Sequence, residues 1–150
     1  MTAVLSPCRT YRYELRRQVS AIESPSIDVV KAAVFLMLNP STADETLDDP
    51  TIRRCIGFAR SWGSQQLIVA NLYAYRATDP SDLWRADDPI GPCNDAHLRE
   101  LAISHKDIVC AWGNNAKNDR AASAARLLSN AGARLWCLGV NKNGSPKHPL

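Results

Sequence analysis

The sequence predicts an α/β protein with three layers, in which helices cover both faces of a mainly parallel, four-stranded central sheet. Four short, apolar runs have the character of strands that are buried on both faces. They span residues 33–38, 67–73, 108–113 and 135–139. Helical periodicity fills most of the sequence between them, and a strand–helix–strand order implies right-handed parallel crossovers. Residues 11–16 add a further strand near the N-terminus.

Length and composition predict one α/β domain over residues 1–150. The net charge of +3 permits an anionic partner without requiring one. Five widely spaced cysteines without a C-x-x-C pair, and no secretion signal, favour a reduced, cytoplasmic setting. No apolar stretch approaches the length that crosses a bilayer, so no membrane partner is expected. The histidines and cysteines lack the spacing of metal ligands, so neither zinc nor an iron–sulfur cluster is expected.

The N-terminal part alternates aromatic or apolar residues with charged ones over residues 11–16. This period of two is typical of a half-exposed strand at the edge of a sheet. A Ser-Pro-Ser sequence within residues 23–28 predicts a loop before the first buried strand.

Two helix starts are predicted after the first buried strand. Thr42-x-x-Glu45 has the form of a capping box, and Asp49-Pro50 offers a better N-cap followed by a proline at the first helical position. Gly63 then supplies the stop. The apolar face of this helix consists of Ile52, Cys55, Ile56 and Ala59.

Three further helices follow. Asp79 is predicted to cap a short helix, Asn94 a second one, and Asp119 to open a third one that ends at Gly132. The second helix turns Leu98, Leu101 and Ala102 inward, leaves His97 exposed and ends at His105.

Polar residues gather where the buried strands end. Ligands of open α/β sheets bind outside the carboxyl ends of the strands, and the sequence places four polar groups there. They are the segment Asn39 to Asp44, Asn71, the Gly113-Asn114-Asn115 turn and the tail with His148. Turns demand Asn and Gly in any case, and Asn71 could either tie down a neighbouring loop or bind a ligand edge.

Several common chemistries are absent from the sequence. Without a G-x-x-x-x-G-K-[ST] or G-x-G-x-x-G motif, neither ATP nor a dinucleotide is expected, and no cofactor is predicted. There is no G-x-S-x-G nucleophile motif either. Amides, carboxylates and one late histidine remain, a set that could position a water, bind a heterocycle and stabilise negative charge on a leaving group.

Four blocks carry a family resemblance. They read LMLNPSTADETLDDPTIRRCIGFARSWG, LIVANLYAYRATDP, VCAWGNNA and CLGVNKNGSPKHPL. They resemble the signature blocks of a bacterial and phage family, domain of unknown function 1643, which has a name but no assigned activity.

The order of these blocks is also similar to that of the uracil-DNA glycosylase superfamily. Asn39-Pro40 resembles the loop that directs the water in that superfamily, and Asn71 resembles the asparagine that binds the flipped base. Trp112-Gly113-Asn114-Asn115-Ala116 resembles its W-G-x-x-A turn, and His148-Pro149 resembles its H-P segment, whose histidine stabilises the departing base. The resemblance implies a uracil-DNA glycosylase-like fold and a hydrolase of DNA repair.

These comparisons assign expected roles to individual residues. The catalytic candidates are Asn39, Asp44 and His148. The substrate-binding candidates are Pro40, Ser41, Thr42, Asn71, Tyr73, Gly113 and Asn114. The phosphate-contact candidates are Arg53, Arg54, Lys142 and Lys147, although solvated helix charges also explain the two arginines.

Three hypotheses follow for the function. The first is an N-glycosidic hydrolase acting on a nucleobase in single-stranded or damaged DNA, or in a nucleotide. The second is a non-catalytic module that binds a nucleobase or nucleotide for a partner protein. The third is a hydrolase or transferase with a non-nucleotide substrate, in which Asp44, Asp48 and Asp49 hold Mg²⁺ or simply form an acidic turn and cap a helix.

Overall fold

A six-stranded mixed sheet lies at the centre of the computed structural model, which describes residues 2–20 and 31–150. The strands are β1 Thr2–Leu5, β2 Arg12–Gln18, β3 Ala32–Met37, β4 Gln66–Asn71, β5 Asp107–Cys110 and β6 Arg134–Cys137. Their order in the sheet is β1-β2-β4-β3-β5-β6. The predicted α/β class is confirmed. The loop predicted over residues 23–28 lies outside the described residues.

The parallel part of the sheet comprises β4, β3, β5 and β6. β3 pairs in parallel with β4 on one side and β5 on the other, and β5 pairs in parallel with β6. β2 joins this part by antiparallel pairing with β4, in the register Leu15↔Val69. All four predicted buried strands are therefore present, and each ends one to three residues before the end of its apolar run.

The prediction that residues 11–16 form a half-exposed edge strand is wrong. β1 pairs with the outer side of β2, in the register Ala3↔Leu15, so that β2 is an interior strand. Five of its seven residues are buried in consequence. Only four residues form β1, and a strand of that length carries too little alternation to be recognised from its own sequence.

Helices lie on both faces of the sheet. α1 Pro50–Ser61 covers one face, where Phe35 of β3 shares a buried cluster with Cys55 of the helix. α2 Asn94–Ser104 and α3 Asn118–Asn130 cover the other, where Leu36 shares a cluster with Leu98 and Leu128. Successive residues of β3 thus point to opposite faces, as a strand requires. No helix in the described part of the chain is long and apolar enough to span a bilayer.

The helix start at Asp49-Pro50 is confirmed, whereas the capping box at Thr42 and Glu45 is wrong. The Asp49 carboxylate accepts a hydrogen bond from the Ile52 N–H at 2.9 Å. No helix follows Thr42, because the Asp44 side chain accepts the N–H groups of Thr46 and Leu47 and closes a turn instead. Glu45 pairs with Arg9, at 3.1 Å between Oε2 and Nη2.

The helices after β4 begin close to the predicted positions. Asp79 caps a 3₁₀ helix, Pro80–Arg85, as predicted. Asn94 does not cap α2: its buried Nδ2 donates to the carbonyls of Asn71 and Leu72 at 2.9 and 3.1 Å. A cap would accept through Oδ1, which has no partner among the described residues, and α2 begins at Asn94 itself with Cys93 at the N-cap position.

His97 also differs from its prediction, because it is half-buried instead of exposed. Its ring stacks on that of Tyr13, with 5.0 Å between the centroids.

The course of the chain opens a crevice at the carboxyl edge of the parallel strands. From β3 the chain crosses through α1 to β4 on one side, and it later returns to β5 on the other side of β3. The segments that leave β3 and β5 therefore diverge, and a ligand site is expected between them.

Candidate functional site

A cleft of about 710 Å³ lies at this divergence. Segments that follow β3, β4 and β5 and the end of the chain line it, together with Arg12 of β2 and Asp49 at the start of α1. This volume falls within the range usual for small-molecule sites. The cleft therefore has the position and size of a binding site.

Half of the predicted site residues line the cleft. Those that do are Asn39, Ser41, Asn71, Gly113, Asn114, Lys147 and His148. Those outside the lining are Pro40, Thr42, Asp44, Tyr73, Arg53, Arg54 and Lys142. Asn39, Asn71 and His148, which come from three distant parts of the chain, thus meet at one cavity.

Asn71 is the most unusual of these side chains. It is 1% exposed, and neither its Nδ2 nor its Oδ1 has a hydrogen-bond partner among the described residues. Leaving a buried polar group without a partner costs about 1–3 kcal/mol. The amide that ties the end of β4 to its surroundings is Asn94, whereas Asn71 is one of the residues that line the cleft.

Asn39 is held in a single orientation. Its Nδ2 donates to the carbonyls of Ala77 and Pro40, at 2.7 and 3.0 Å. Both contacts need the NH₂ end of the carboxamide, which leaves Oδ1 as the acceptor that Asn39 can offer to a ligand or a water.

His148 is held as a donor. Its Nδ1 accepts the N–H of Leu150 at 3.2 Å, so the neutral ring carries its proton on Nε2. Burial lowers the pKa of His148, against the opposing effect of Asp49. At neutral pH the imidazole is therefore uncharged.

Backbone hydrogen bonds position the tail that carries His148. The N–H of Gly113 donates to Pro146 at 3.0 Å, and the N–H of Lys147 donates to Gly139 at 2.9 Å. From α1, the Nε of Arg54 donates to the Pro149 carbonyl at 3.3 Å. Arg54 therefore holds the tail in this structure.

The three aspartates before α1 have separate roles. The Asp44 carboxylate accepts the N–H groups of Thr46 and Leu47, which hold its pKa below the usual value. Asp48 pairs with Arg17 at 2.6 Å. Asp49 caps α1 through Oδ1 and is the one carboxylate side chain in the cleft lining. Within residues 2–20 and 31–150, no three His, Cys, Asp or Glu side chains converge as metal ligands.

Sequence reasoning missed several residues of the cleft. Asp49 was predicted as a helix cap or as a Mg²⁺ ligand with Asp44 and Asp48. It was not grouped with Asn39, although it follows the same strand and could have been included on that ground. Arg12 was placed on an edge strand. The pairing of β1 with β2 shifts in register between Val4 and Leu5, and Leu5 lies opposite Arg12. Alternation along β2 therefore does not predict the face of the sheet on which Arg12 lies.

Arg17 organises the loop between β3 and α1. It is 1% exposed, and besides its ion pair with Asp48 it donates to the Leu47 carbonyl at 3.2 Å and to the Asp44 carbonyl. Its Nη1 donates to the carbonyls of Arg16 and Thr2 at 2.9 and 3.3 Å. One side chain thus joins β1, β2 and the loop that carries Asp49.

Arg17→Met is expected to lower the free energy of unfolding by about 3 kcal/mol, because the Asp48 carboxylate and the loop carbonyls lose a buried partner. Urea unfolding measures the change. Arg16→Met on the same strand is the control, since its pair with Glu14 is partly exposed and worth about 1 kcal/mol or less. Equal losses from both variants would contradict this role of Arg17.

Comparison with known proteins gives one match. The family described as "Protein of unknown function (DUF1643)" matches residues 12–150. No curated protein and no solved structure matches the chain. The resemblance of the four sequence blocks to domain of unknown function 1643 is confirmed.

Proposed function

The chain belongs to the DUF1643 family of proteins of unknown function, and we propose that it hydrolyses the N-glycosidic bond of a nucleobase in DNA or in a nucleotide. The observation that carries this proposal is the Asn71 carboxamide, which is buried without a partner in the same cleft as Asn39 and His148. Each of the three offers a different hydrogen-bonding function to a ligand.

Asn71 would recognise the base. A carboxamide presents one acceptor oxygen and an NH₂ donor side by side. The imide or amide edge of a nucleobase presents a complementary donor and acceptor, so two parallel hydrogen bonds form. Because both Asn71 groups are already removed from water, a base with that edge would repay their burial, whereas a purely apolar ligand would not.

His148 would stabilise the leaving base. When the glycosidic bond breaks, its electron pair passes to the base, which departs as an anion. The neutral imidazole, with its proton on Nε2, donates a hydrogen bond to that developing charge. Since the Nδ1 contact with the Leu150 N–H fixes this tautomer, the donor requires no rearrangement during the reaction.

Asn39 would orient the attacking water, and Asp49 would accept its proton. The Oδ1 of Asn39 accepts a hydrogen bond from the water and orients it, but an amide cannot take up its proton. Asp49, whose Oδ1 caps α1, can take the proton on Oδ2 while the water oxygen bonds to the sugar carbon. The products are the free base, which regains a proton, and a sugar with a new hydroxyl group.

The similarity to the uracil-DNA glycosylase superfamily supports the same proposal. The three residues that resemble its water-directing, base-binding and leaving-group residues come together in one cleft at the carboxyl ends of parallel strands. A base in single-stranded or damaged DNA, or in a nucleotide, is the favoured substrate, because extracting a paired base costs a few kcal/mol more.

The proposal is tested by incubating the protein with nucleosides, nucleotides and oligonucleotides that contain uracil or a damaged base. Release of free base, measured by chromatography, is expected. Asn39→Ala should slow it, and Asn130→Ala, an exposed amide at the end of α3, should leave it unchanged. No release from any substrate, with Asn39→Ala and His148→Ala binding nucleobases as the wild type does, would refute the proposal. Asn71-dependent binding without release would instead indicate a non-catalytic binding module.

The rate of base release should fall below pH 6.5, the ordinary pKa of histidine. Burial lowers the pKa of His148 in the folded protein, so Nδ1 stays an acceptor for the Leu150 N–H through neutral pH. Protonation below that value makes Nδ1 a donor, which breaks this contact and releases the ring from its position. The unfolded chain binds the proton at higher pH, so the contribution of His148 to stability is present above pH 6.5 and is lost as the pH falls through the folded pKa. A pH–rate profile with NMR titration of His148 measures both effects. An acid limb above pH 6.5 would contradict this assignment.

A further inference from the structure

Three arginines of the described chain are buried, and two of them have a carboxylate partner. Arg17 pairs with Asp48 at 2.6 Å, and Arg120 pairs with Asp95 at 2.8 Å. Each also donates to backbone carbonyls, Arg120 to that of Leu72 at 2.9 Å. A buried charge ordinarily has such partners, because removing it from water is costly.

Arg12 departs from this pattern. It is 2% exposed, yet it forms no salt bridge with any described residue. One side-chain hydrogen bond is present, from Nη1 to the Ala43 carbonyl at 2.7 Å. Its Nε is buried without a partner, and burial lowers the pKa of Arg12 to about 10. The guanidinium therefore remains charged at neutral pH without an ionic partner.

The unused edge of Arg12 is the one that binds anions. Elsewhere in this protein the Nε and Nη2 atoms of an arginine bind a carboxylate together. Arg134 does so with Asp107 at 2.9 and 3.1 Å, and Arg16 does so with Glu14 at 2.7 and 3.3 Å. In Arg12 both atoms lack a hydrogen bond to the described residues. This fork matches a carboxylate or phosphate in geometry as well as in charge.

The charges around Arg12 also favour an anion. The side chains that line the cleft include two strong bases, Arg12 and Lys147, and one acid, Asp49. Asp49 is near enough to raise the pKa of Arg12 but is not in salt-bridge contact with it. One of its oxygens is already engaged by the Ile52 N–H. The charged side chains that the described residues contribute to the cleft thus sum to +1, and Arg12 is the buried one of the two bases.

We propose that Arg12 binds a phosphate group of the ligand through its Nε–Nη2 edge, so that the cleft takes a nucleotide in preference to a nucleoside or a free base. Asn71 then binds the base and Arg12 the phosphate, with Lys147 as a weaker, exposed contact. The identity of the base rests on the proposed function, whereas the phosphate contact rests on Arg12 itself. Arg53, Arg54 and Lys142 lie outside the cleft lining and contribute no direct contact.

The proposal is tested by measuring the binding of inorganic phosphate, uridine and uridine 5′-monophosphate. Calorimetry gives the affinities, and the NMR signal of the Arg12 Nε–H group reports the contact. The monophosphate is expected to bind about tenfold to a hundredfold more tightly than uridine, as hydrogen bonds to a charged group allow. Arg12→Met should abolish that preference. Lys147→Gln should weaken binding about twofold to fivefold, and Lys142→Met, an exposed lysine outside the cleft, should not change it. Raising the salt concentration should reduce the preference.

A second variant keeps the proposal testable if Arg12→Met does not fold. Asp49→Asn retains an effective helix cap and removes the competing negative charge, so it should bind phosphate more tightly than the wild type. Equal affinities for uridine and its monophosphate, or phosphate binding unchanged in Asp49→Asn, would overturn the phosphate contact.

The outcomes also separate the two proposals. Arg12-dependent binding of inorganic phosphate without any uracil binding would refute the proposed base recognition and retain this contact. Binding of uridine with the same affinity as its monophosphate would refute the phosphate contact and retain the proposed base recognition. If a short uracil-containing strand binds more tightly than the mononucleotide, the phosphate belongs to a nucleic-acid backbone.

Discussion

Asn71→Leu is expected to abolish nucleobase binding and, at the same time, to raise the free energy of unfolding by about 1–3 kcal/mol. The wild-type carboxamide is buried with both polar atoms unpaired, and leucine is of similar size without polar atoms. Removing the unpaired groups therefore stabilises the folded state, while the complement to the base edge is lost. Residues retained for function often lower stability in this way.

The matched control is Asn94→Leu, which replaces the neighbouring buried asparagine. Asn94 donates two hydrogen bonds to backbone carbonyls of β4 and the residue after it, so its replacement should lower the free energy of unfolding by about 1–3 kcal/mol. Urea unfolding and calorimetric binding of a nucleobase measure the two variants. If Asn71→Leu lost as much stability as Asn94→Leu, the Asn71 side chain would be a structural tie.

His148→Asn is expected to lower kcat for base release by about a hundredfold to a thousandfold, the effect of removing one donor from a developing anion. KM should change little, because this hydrogen bond strengthens mainly as the charge develops. Steady-state kinetics on the best substrate found measures both parameters. The fall in rate at acid pH should be absent in this variant, because the variant lacks the imidazole that titrates.

His105→Asn is the control for this experiment. His105 is half-buried at the end of α2, outside the cleft, and burial lowers its pKa too. Its replacement should leave kcat and the pH profile unchanged. A loss of kcat of the same size in both variants, or a large rise in KM with kcat preserved in His148→Asn, would exclude His148 from stabilising the leaving group.

Features that depend on local sequence were predictable. The four apolar runs predicted the strands of the parallel part, and Asp49-Pro50 predicted the start of α1. Asn39, Asn71 and His148 were predicted together because strand ends of an α/β fold meet at one edge. The structure places all three in the same cleft.

Features that depend on pairing between distant segments were not predictable. β1 has four residues, and its presence moved β2 from the edge to the interior of the sheet. Asn94 was predicted as a helix cap, which would accept through Oδ1. Its Nδ2 instead donates to carbonyls more than twenty positions away, and Oδ1 has no partner among the described residues. Asp44 and Asp49 are both aspartates and only five residues apart, yet Asp44 closes a turn whereas Asp49 lines the cleft.

The sequence by itself determined the α/β class and the strand ends at which the candidate site lies, because local periodicity and turn residues encode both. The family was recognised from the resemblance of four sequence blocks. Only the tertiary structure decided which polar side chains have partners. Arg12 and Arg17 are both arginines of β2 and both buried, yet Arg17 has an ion pair and several carbonyls while Arg12 has one carbonyl. Whether a buried group is satisfied depends on atoms that distant segments bring to it. Among the described residues that line the cleft, the Asn71 carboxamide and the Arg12 Nε are buried without a partner, and these groups therefore indicate the ligand.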